Sequence, residues 1–142
     1  NGLFGEGEVS EIWITFPDPQ LKTRRAKKRL TSPLFLEYYA RLLRADGTIH
    51  LKTDSKHLYA YTNEVIRRFG LPCAVSNPDI YGSGDADEGL SGKTAYEQLF
   101  LGMGLPITYT RFSLGGRREF PWFDWEEDEK PEKDNEAERG NR

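Results

Sequence analysis

Cysteine is almost absent from this sequence. Cys73 is the single one, so no disulfide can form within the chain, and no Cys/His group has zinc-site spacing. No metal site is expected. Set between Pro72 and Ala74, Cys73 reads as buried packing rather than as a nucleophile. Histidine is nearly as scarce, with two in 142 residues. No apolar run reaches the roughly 20 residues of a membrane-spanning helix. The N-terminus also lacks the charged-then-apolar pattern of a secretion signal. No membrane partner is expected, and a reducing, cytoplasmic location fits.

The net charge of −3 first argues against a nucleic-acid partner, but it hides an asymmetry. Residues 1–118 carry sixteen Lys/Arg against thirteen Asp/Glu, a net of +3. Residues 119–142 carry four against ten, a net of −6. The body, residues 1–118, reads as one mildly basic domain portion. The acidic tail 119–142 is rich in Pro, Asn and Gly and is expected to be disordered. The chain opens on Asn1-Gly-Leu-Phe-Gly5, with strand-like sequence close behind. That opening reads as the middle of a larger domain.

Glu11-Ile-Trp-Ile-Thr-Phe16 is a β-branched and aromatic run stopped by Pro17. Its nearly continuous apolar character predicts a strand covered on both faces. Ser32 and Pro33 open a helix, as N-cap and first helical residue. Phe35, Tyr38, Tyr39, Leu42 and Leu43 form its apolar stripe, and Asp46-Gly47 reads as its stop. Thr48–Thr53 is a second strand. Asp54-Ser55 then caps a helix with Leu58, Tyr61, Val65, Ile66 and Phe69 at helical spacing, closed by Gly70. Pro72–Ser76 reads as a short strand, 77–92 as a loop, and Thr94–Met103 as a short helix. Ile107–Leu114 alternates as a strand, a candidate antiparallel edge. The order predicts an α/β fold, a mostly parallel sheet with crossover helices.

Ligands of open α/β sheets bind beyond the carboxyl ends of the strands. Asp18 follows the first strand and Asp54 the second, so neighbouring strands would turn both acids into one crevice. Asp54 reads equally well as a helix cap. Asp18 reads either as a turn residue or as a carboxylate held rigidly by Pro17 and Pro19. Six cations follow: Lys22, Arg24, Arg25, Lys27, Lys28 and Arg29. Alone they read as a solvated face; at the ligand end of a sheet they read as a phosphate-backbone grip. His50 falls mid-strand and reads as packed. His57 reads as exposed in a first helical turn, and neither shows a partner for acid–base work. Tyr81-Gly-Ser-Gly84 lacks the strand-then-helix setting of a phosphate loop.

Three ordered motifs carry a resemblance. Trp13-Ile-Thr-Phe-Pro-Asp-Pro-Gln-Leu-Lys-Thr-Arg-Arg-Ala-Lys-Lys-Arg-Leu30 resembles the signature of the bacterial tRNA (guanine-N7)-methyltransferases. Leu51-Lys-Thr-Asp54 resembles that family's strand ending in Thr-Asp. Thr94-Ala-Tyr-Glu-Gln-Leu-Phe100, with Gly102, Gly104, Leu105, Pro106 and Ile107, resembles its C-terminal block. Gln20 stands where many members have an aromatic residue or His, and Arg25 where a His is common.

The resemblance implies a Rossmann-like methyltransferase fold, of which this chain is the C-terminal portion. S-adenosylmethionine is the implied donor, and N7 of a guanine in the tRNA variable loop the acceptor. Asp18 is implied as the catalytic acid beside the donor. Lys22, Asp54, Thr94, Ala95, Tyr96 and Glu97 are implied as substrate contacts, with Arg24, Arg25, Lys27, Lys28 and Arg29 on the tRNA backbone. The family's glycine-rich donor turn lies N-terminal to this segment, so the isolated chain is expected not to bind the donor. The competing reading is a non-catalytic RNA-binding module using loop 22–29. Acids beside a phosphate grip would repel its ligand, which favours the enzyme. A third reading is a structural fragment that folds poorly alone, since half a sheet leaves an open strand edge that invites dimerisation or aggregation. The chain is expected as a monomer or homodimer.

Overall fold

The computed structural model describes residues 7–82 and 95–125, with side chains in the second stretch from residue 97 onward. Four strands form one mixed sheet: β1 (Val9–Thr15), β2 (Leu43–Thr53), β3 (Cys73–Asn77) and β4 (Thr108–Phe112). A 3-10 turn, Thr23–Lys28, and helix α1 (Pro33–Leu42) connect β1 to β2. Helix α2 (Lys56–Phe69) connects β2 to β3, and α3 (Ala95–Gly102) precedes β4. The spatial order is β1-β2-β4-β3. β1 and β2 pair in parallel, while β4 runs antiparallel to both β2 and β3. Three strands therefore share one direction, yet a single neighbouring pair is parallel. The last strand is antiparallel as expected, but it lies inside the sheet rather than at its edge. None of the described helices is long and apolar enough to cross a membrane.

Alternation along the strands separates two faces. Ile14, Ile49, Leu51 and Phe112 share a core with Leu36 and Tyr39 of α1 and Leu58, Tyr61 and Val65 of α2. Tyr109 faces the other way and packs with Ile80, Phe100 and Ile107. The same side of the sheet carries Trp13, His50 and Lys52, which are neighbours by register or ring contact. β1 is thus not covered on both faces. It is an edge strand of the described sheet, and Trp13 stays 44% exposed. Its apolar run is continuous because Trp13 covers His50, with ring centroids 3.7 Å apart and planes within 2°.

Helix α1 stops at Leu42, four residues before Asp46. Its last turn leads straight into β2, and residues 44–47 bulge out opposite Ser10, between the Val9–Leu43 and Glu11–Thr48 pairs. Gly47 serves that bulge, since a Cβ there would meet the Leu43 side chain at 2.7 Å. Ser32 is at the N-cap of α1, but its hydroxyl donates to the Lys27 carbonyl rather than accepting from the helix. Cys73 is exposed and His57 is buried, the reverse of both expectations. His57 is covered by the Trp125 ring, 5.6 Å away.

That tryptophan marks a further correction. Residues 119–125 are not a solvated tail: Phe120 is 2% exposed within the core, and Phe123 and Trp125 pack against it. The aromatic residues outweigh the acidic composition there. Residues 126–142 of the expected tail lie outside the described residues.

Gly70 ends α2 with φ 63°, and the Leu71 amide reaches back to the Ile66 carbonyl at 2.9 Å. A Cβ at Gly70 would touch nothing within 4 Å, so its cost is conformational alone. Gly70→Ala is expected to reduce unfolding free energy by about 1 kcal/mol, read from the urea midpoint. An unchanged midpoint would mean that the helix end relaxes into another cap.

Candidate functional site

The parallel pairing of β1 and β2 brings their carboxyl ends side by side, and with them Asp18 and Asp54. Asp18 is exposed on a loop with little freedom. Pro17 and Pro19 fix their own φ, and the residues outside them, Phe16 and Gln20, hold φ of 52° and 50°. Non-glycine residues rarely take such values, and they persist only when the surroundings impose them. Oδ1 of Asp18 accepts from the Gln20 amide at 3.0 Å.

The imposing group is Arg29. It is fully buried, against the expectation of a phosphate contact. Its Nε donates to the Gln20 carbonyl at 3.0 Å and a terminal nitrogen to the Leu21 carbonyl at 3.3 Å. The guanidinium lies 4.6 Å from the centroid of the Tyr61 ring. Arg29 therefore holds the loop from behind, and its place in the cationic run concealed that role. Lys22, Arg24, Arg25, Lys27 and Lys28 are exposed and remain as the cationic surface. Gln20 and Arg25, the two departures from the family pattern, bond to each other: Arg25 Nε donates to Gln20 Oε1 at 2.7 Å.

At the end of β2, the cap of α2 is Ser55, whose Oγ accepts from the Leu58 amide at 3.0 Å. Asp54, one residue before that cap, is 5% exposed. Thr53 fixes the corner: its Oγ1 accepts from the Ser55 amide at 3.0 Å, and its carbonyl accepts from Thr108 Oγ1 at 2.8 Å.

The third motif comes in from the side. Thr94 lies outside the described residues, and Ala95 and Tyr96 are placed only as the first turn of α3. Glu97 is fully buried. Its Oε2 accepts from Lys52 Nζ at 2.9 Å and from the Tyr81 hydroxyl at 2.6 Å. Burial, then the Glu97 carboxylate, pushes the Tyr81 phenol far above its usual 10.0, so it stays a donor. Sequence reasoning passed over Lys52 and Tyr81. The available signal was alternation in β2: apolar Ile49 and Leu51 on one face send His50 and Lys52 to the other.

His50 does have partners. Nδ1 is 2.8 Å from the Tyr109 hydroxyl and Nε2 is 3.0 Å from Glu11 Oε1. Burial holds its pKa below the usual 6.5, against the opposing pull of Glu11. Two concavities of the structure lie elsewhere. One, of about 270 Å³, sits among Leu43, Arg44 and Arg117, and the other, of about 630 Å³, runs along α1. Neither includes Asp18 or Asp54.

Two outcomes follow from the buried groups. Lys52→Met leaves Glu97 charged in a dry environment and is expected to cost about 3 kcal/mol of stability, as does Glu97→Gln. The double substitution is expected to cost less than the sum, measured by a urea double-mutant cycle. Additive costs would mean that the two side chains do not depend on each other. For His50, the unfolded imidazole binds a proton more readily than the folded one. Its contribution is complete above about pH 6.5 and is lost as pH falls toward the folded value. The urea midpoint is expected to drop from about pH 7 to about pH 5, with a shallower drop in His50→Gln.

Comparison with known proteins gives the family. A protein-family model described as "Putative methyltransferase" matches residues 1–108. A tRNA (guanine-N(7)-)-methyltransferase of Bacteroides fragilis is 50% identical over 112 residues, 79% of this chain and 44% of the relative. One of Porphyromonas gingivalis is 50% identical over 114 residues, 80% of this chain and 46% of the relative. One of Staphylococcus aureus (strain MSSA476) is 38% identical over 107 residues, 75% of this chain and 49% of the relative. The chain spans about half the length of these curated relatives. With its strand–helix–strand unit, its rigid Pro-Asp-Pro corner and a family model matched over most of its length, the chain belongs to this methyltransferase family.

Proposed function

We propose that this chain is the substrate-facing portion of a tRNA (guanine-N7)-methyltransferase that uses S-adenosylmethionine. The observation that carries the reading is the pairing of β1 with β2, which sets Asp18, Asp54 and five exposed cations at one end of the sheet. The relatives' names supply the acceptor class. Location in the cytoplasm, and a monomeric or dimeric state, belong to the same proposal.

The described residues fit one side of a donor site. Asp18 stands exposed and rigid where a strand of an open sheet meets its ligand. None of the described glycines with positive φ follows the carboxyl end of β1 or β2: Gly7 precedes β1, Gly70 ends α2, Gly104 follows α3, and Gly115 and Gly116 follow β4. The family resemblance assigns the glycine-rich turn for the donor's amino-acid and ribose groups to the part of the relatives that this chain does not span.

When bound, the donor would supply a sulfonium methyl group to guanine N7, its S–C bond exchanged for the new N–C bond with a thioether and a cationic base left behind. N7 carries a free lone pair and no proton, so no general base is needed. Asp18 stabilises the positive charge that appears on the purine in the transition state. Asp54 accepts from the guanine N–H edge, while Glu97, fully buried with Lys52 and Tyr81, anchors the start of α3 to β2 rather than touching the substrate. Lys22, Arg24, Arg25, Lys27 and Lys28 hold the phosphates on either side of the target and bring N7 in line.

The test uses the native full-length protein. Asp18→Asn is expected to lower kcat by about 100-fold or more while tRNA affinity stays near that of the wild type. Replacing Lys22 and Arg24 by Gln is expected to weaken tRNA binding and flatten its salt dependence, by about 0.7–0.9 in log–log slope per cation. Wild-type turnover in Asp18→Asn would overturn the electrostatic role. Salt-sensitive RNA binding without any methyl transfer would favour the binding-module reading instead.

A further inference from the structure

We propose that the aromatic segment Phe120–Trp125 is a brace that positions the Asp18 loop, acting through Tyr61 and Arg29. The proposal rests on the reading of Asp18 as the residue facing the transferred methyl group.

Four of the seven residues 119–125 are aromatic, which a solubilising tail does not need. The segment is fastened at several points. The Phe120 amide donates to Glu37 Oε2 of α1 at 2.9 Å, and the Phe120 ring meets Phe69 of α2 edge-on at 5.1 Å. Arg68 lies 4.2 Å from the Phe123 centroid. So anchored, the segment lays Trp125 at 5.3 Å and Phe123 at 6.3 Å from the Tyr61 ring. Arg29 also lies over Tyr61, at 4.6 Å, and its guanidinium holds the carbonyls of Gln20 and Leu21. A second link is direct, since Lys27 Nζ of the cationic surface lies 5.5 Å from the Trp122 centroid.

The physical consequence is a line of rigid contacts from the end of the described chain to the catalytic corner. Removing the rings behind Tyr61 lets that side chain shift and lets water reach the guanidinium of Arg29. The carbonyls of Gln20 and Leu21 then lose a fixed donor. Phe16 and Gln20 relax from their positive φ, and the carboxylate of Asp18 moves with them. Small misplacement of a catalytic group lowers the rate of the chemical step without a matching change in ligand affinity.

Hydrogen exchange on the native full-length protein tests the brace without relying on activity. In Trp125→Ala the amides of Arg25 and Arg29, bonded to the Lys22 and Ala26 carbonyls, are expected to exchange about tenfold faster. Amides of β2 and β4 are expected to keep their wild-type rates, and Trp125→Phe to restore most of the protection. Phe123→Leu, which removes a ring but keeps apolar volume, is expected to give the same pattern more weakly. In turnover, Trp125→Ala is expected to lower kcat about tenfold or more with unchanged affinity for S-adenosylmethionine. Unchanged exchange at Arg25 and Arg29 would overturn the brace. So would an acceleration shared equally by β2 and β4, the mark of general destabilisation. A wild-type protein that methylates no tRNA would overturn the catalytic reading, with the exchange pattern still deciding the brace.

Discussion

A guanidinium with no access to water must find its acceptors inside the protein, and the candidate site depends on how Arg29 does so. The carbonyls of Gln20 and Leu21 point inward from a loop that has no ladder to pair them. Each side would be costly to bury alone, and each satisfies the other. The loop is then tied at its far end as well, where Ser32 Oγ donates to the Lys27 carbonyl. Two prolines and two positive φ values would otherwise leave this segment among several strained alternatives. The arginine selects one of them and turns Asp18 outward. Its charge is spent internally, which leaves five other cations of the run to face solvent.

The sheet divides its labour between faces. Toward α1 and α2 it is apolar and holds most of the core. On the opposite face Trp13, His50, Lys52 and Tyr109 form a polar and aromatic surface, within which Lys52 and Glu97 pair out of reach of water. A buried ion pair adds little net stability, but it resists any arrangement that separates its members. The Lys52–Glu97 contact fixes the start of α3 against the end of β2. The three motifs, far apart in the chain, thereby converge on one corner.

Much of this was legible in the sequence because local rules and tertiary packing agree. The period of α2, its Ser55 cap and its Gly70 stop all survive unchanged, as does the placement of Asp18 and Asp54 at neighbouring strand ends. Misreadings occurred where a residue had two physical uses. Asp46-Gly47 has the chemistry of a helix stop but serves a bulge inside β2. Arg29 has the charge of an RNA contact but the burial of a core residue. The acidic count of residues 119–142 obscured the spacing of Phe120, Phe123 and Trp125. The place of β4 was not legible at all, since alternation reveals a strand but not its neighbours.

That place of β4 bears on how the protein is made. β4 is the last of the described strands in sequence, yet it lies between β2 and β3 and supplies the pairing that joins them. While the chain emerges from the ribosome, β2 and β3 therefore have no partner to share, and the sheet waits with an open slot. Such long-range closure is slow, and the waiting edges can pair wrongly. The segment after β4 then lays Phe120, Phe123 and Trp125 across the finished core. Closure of this sheet waits on β4 and the aromatic segment behind it, and a nascent or truncated chain lacking residues 108–125 carries the charged corner without the means to complete it.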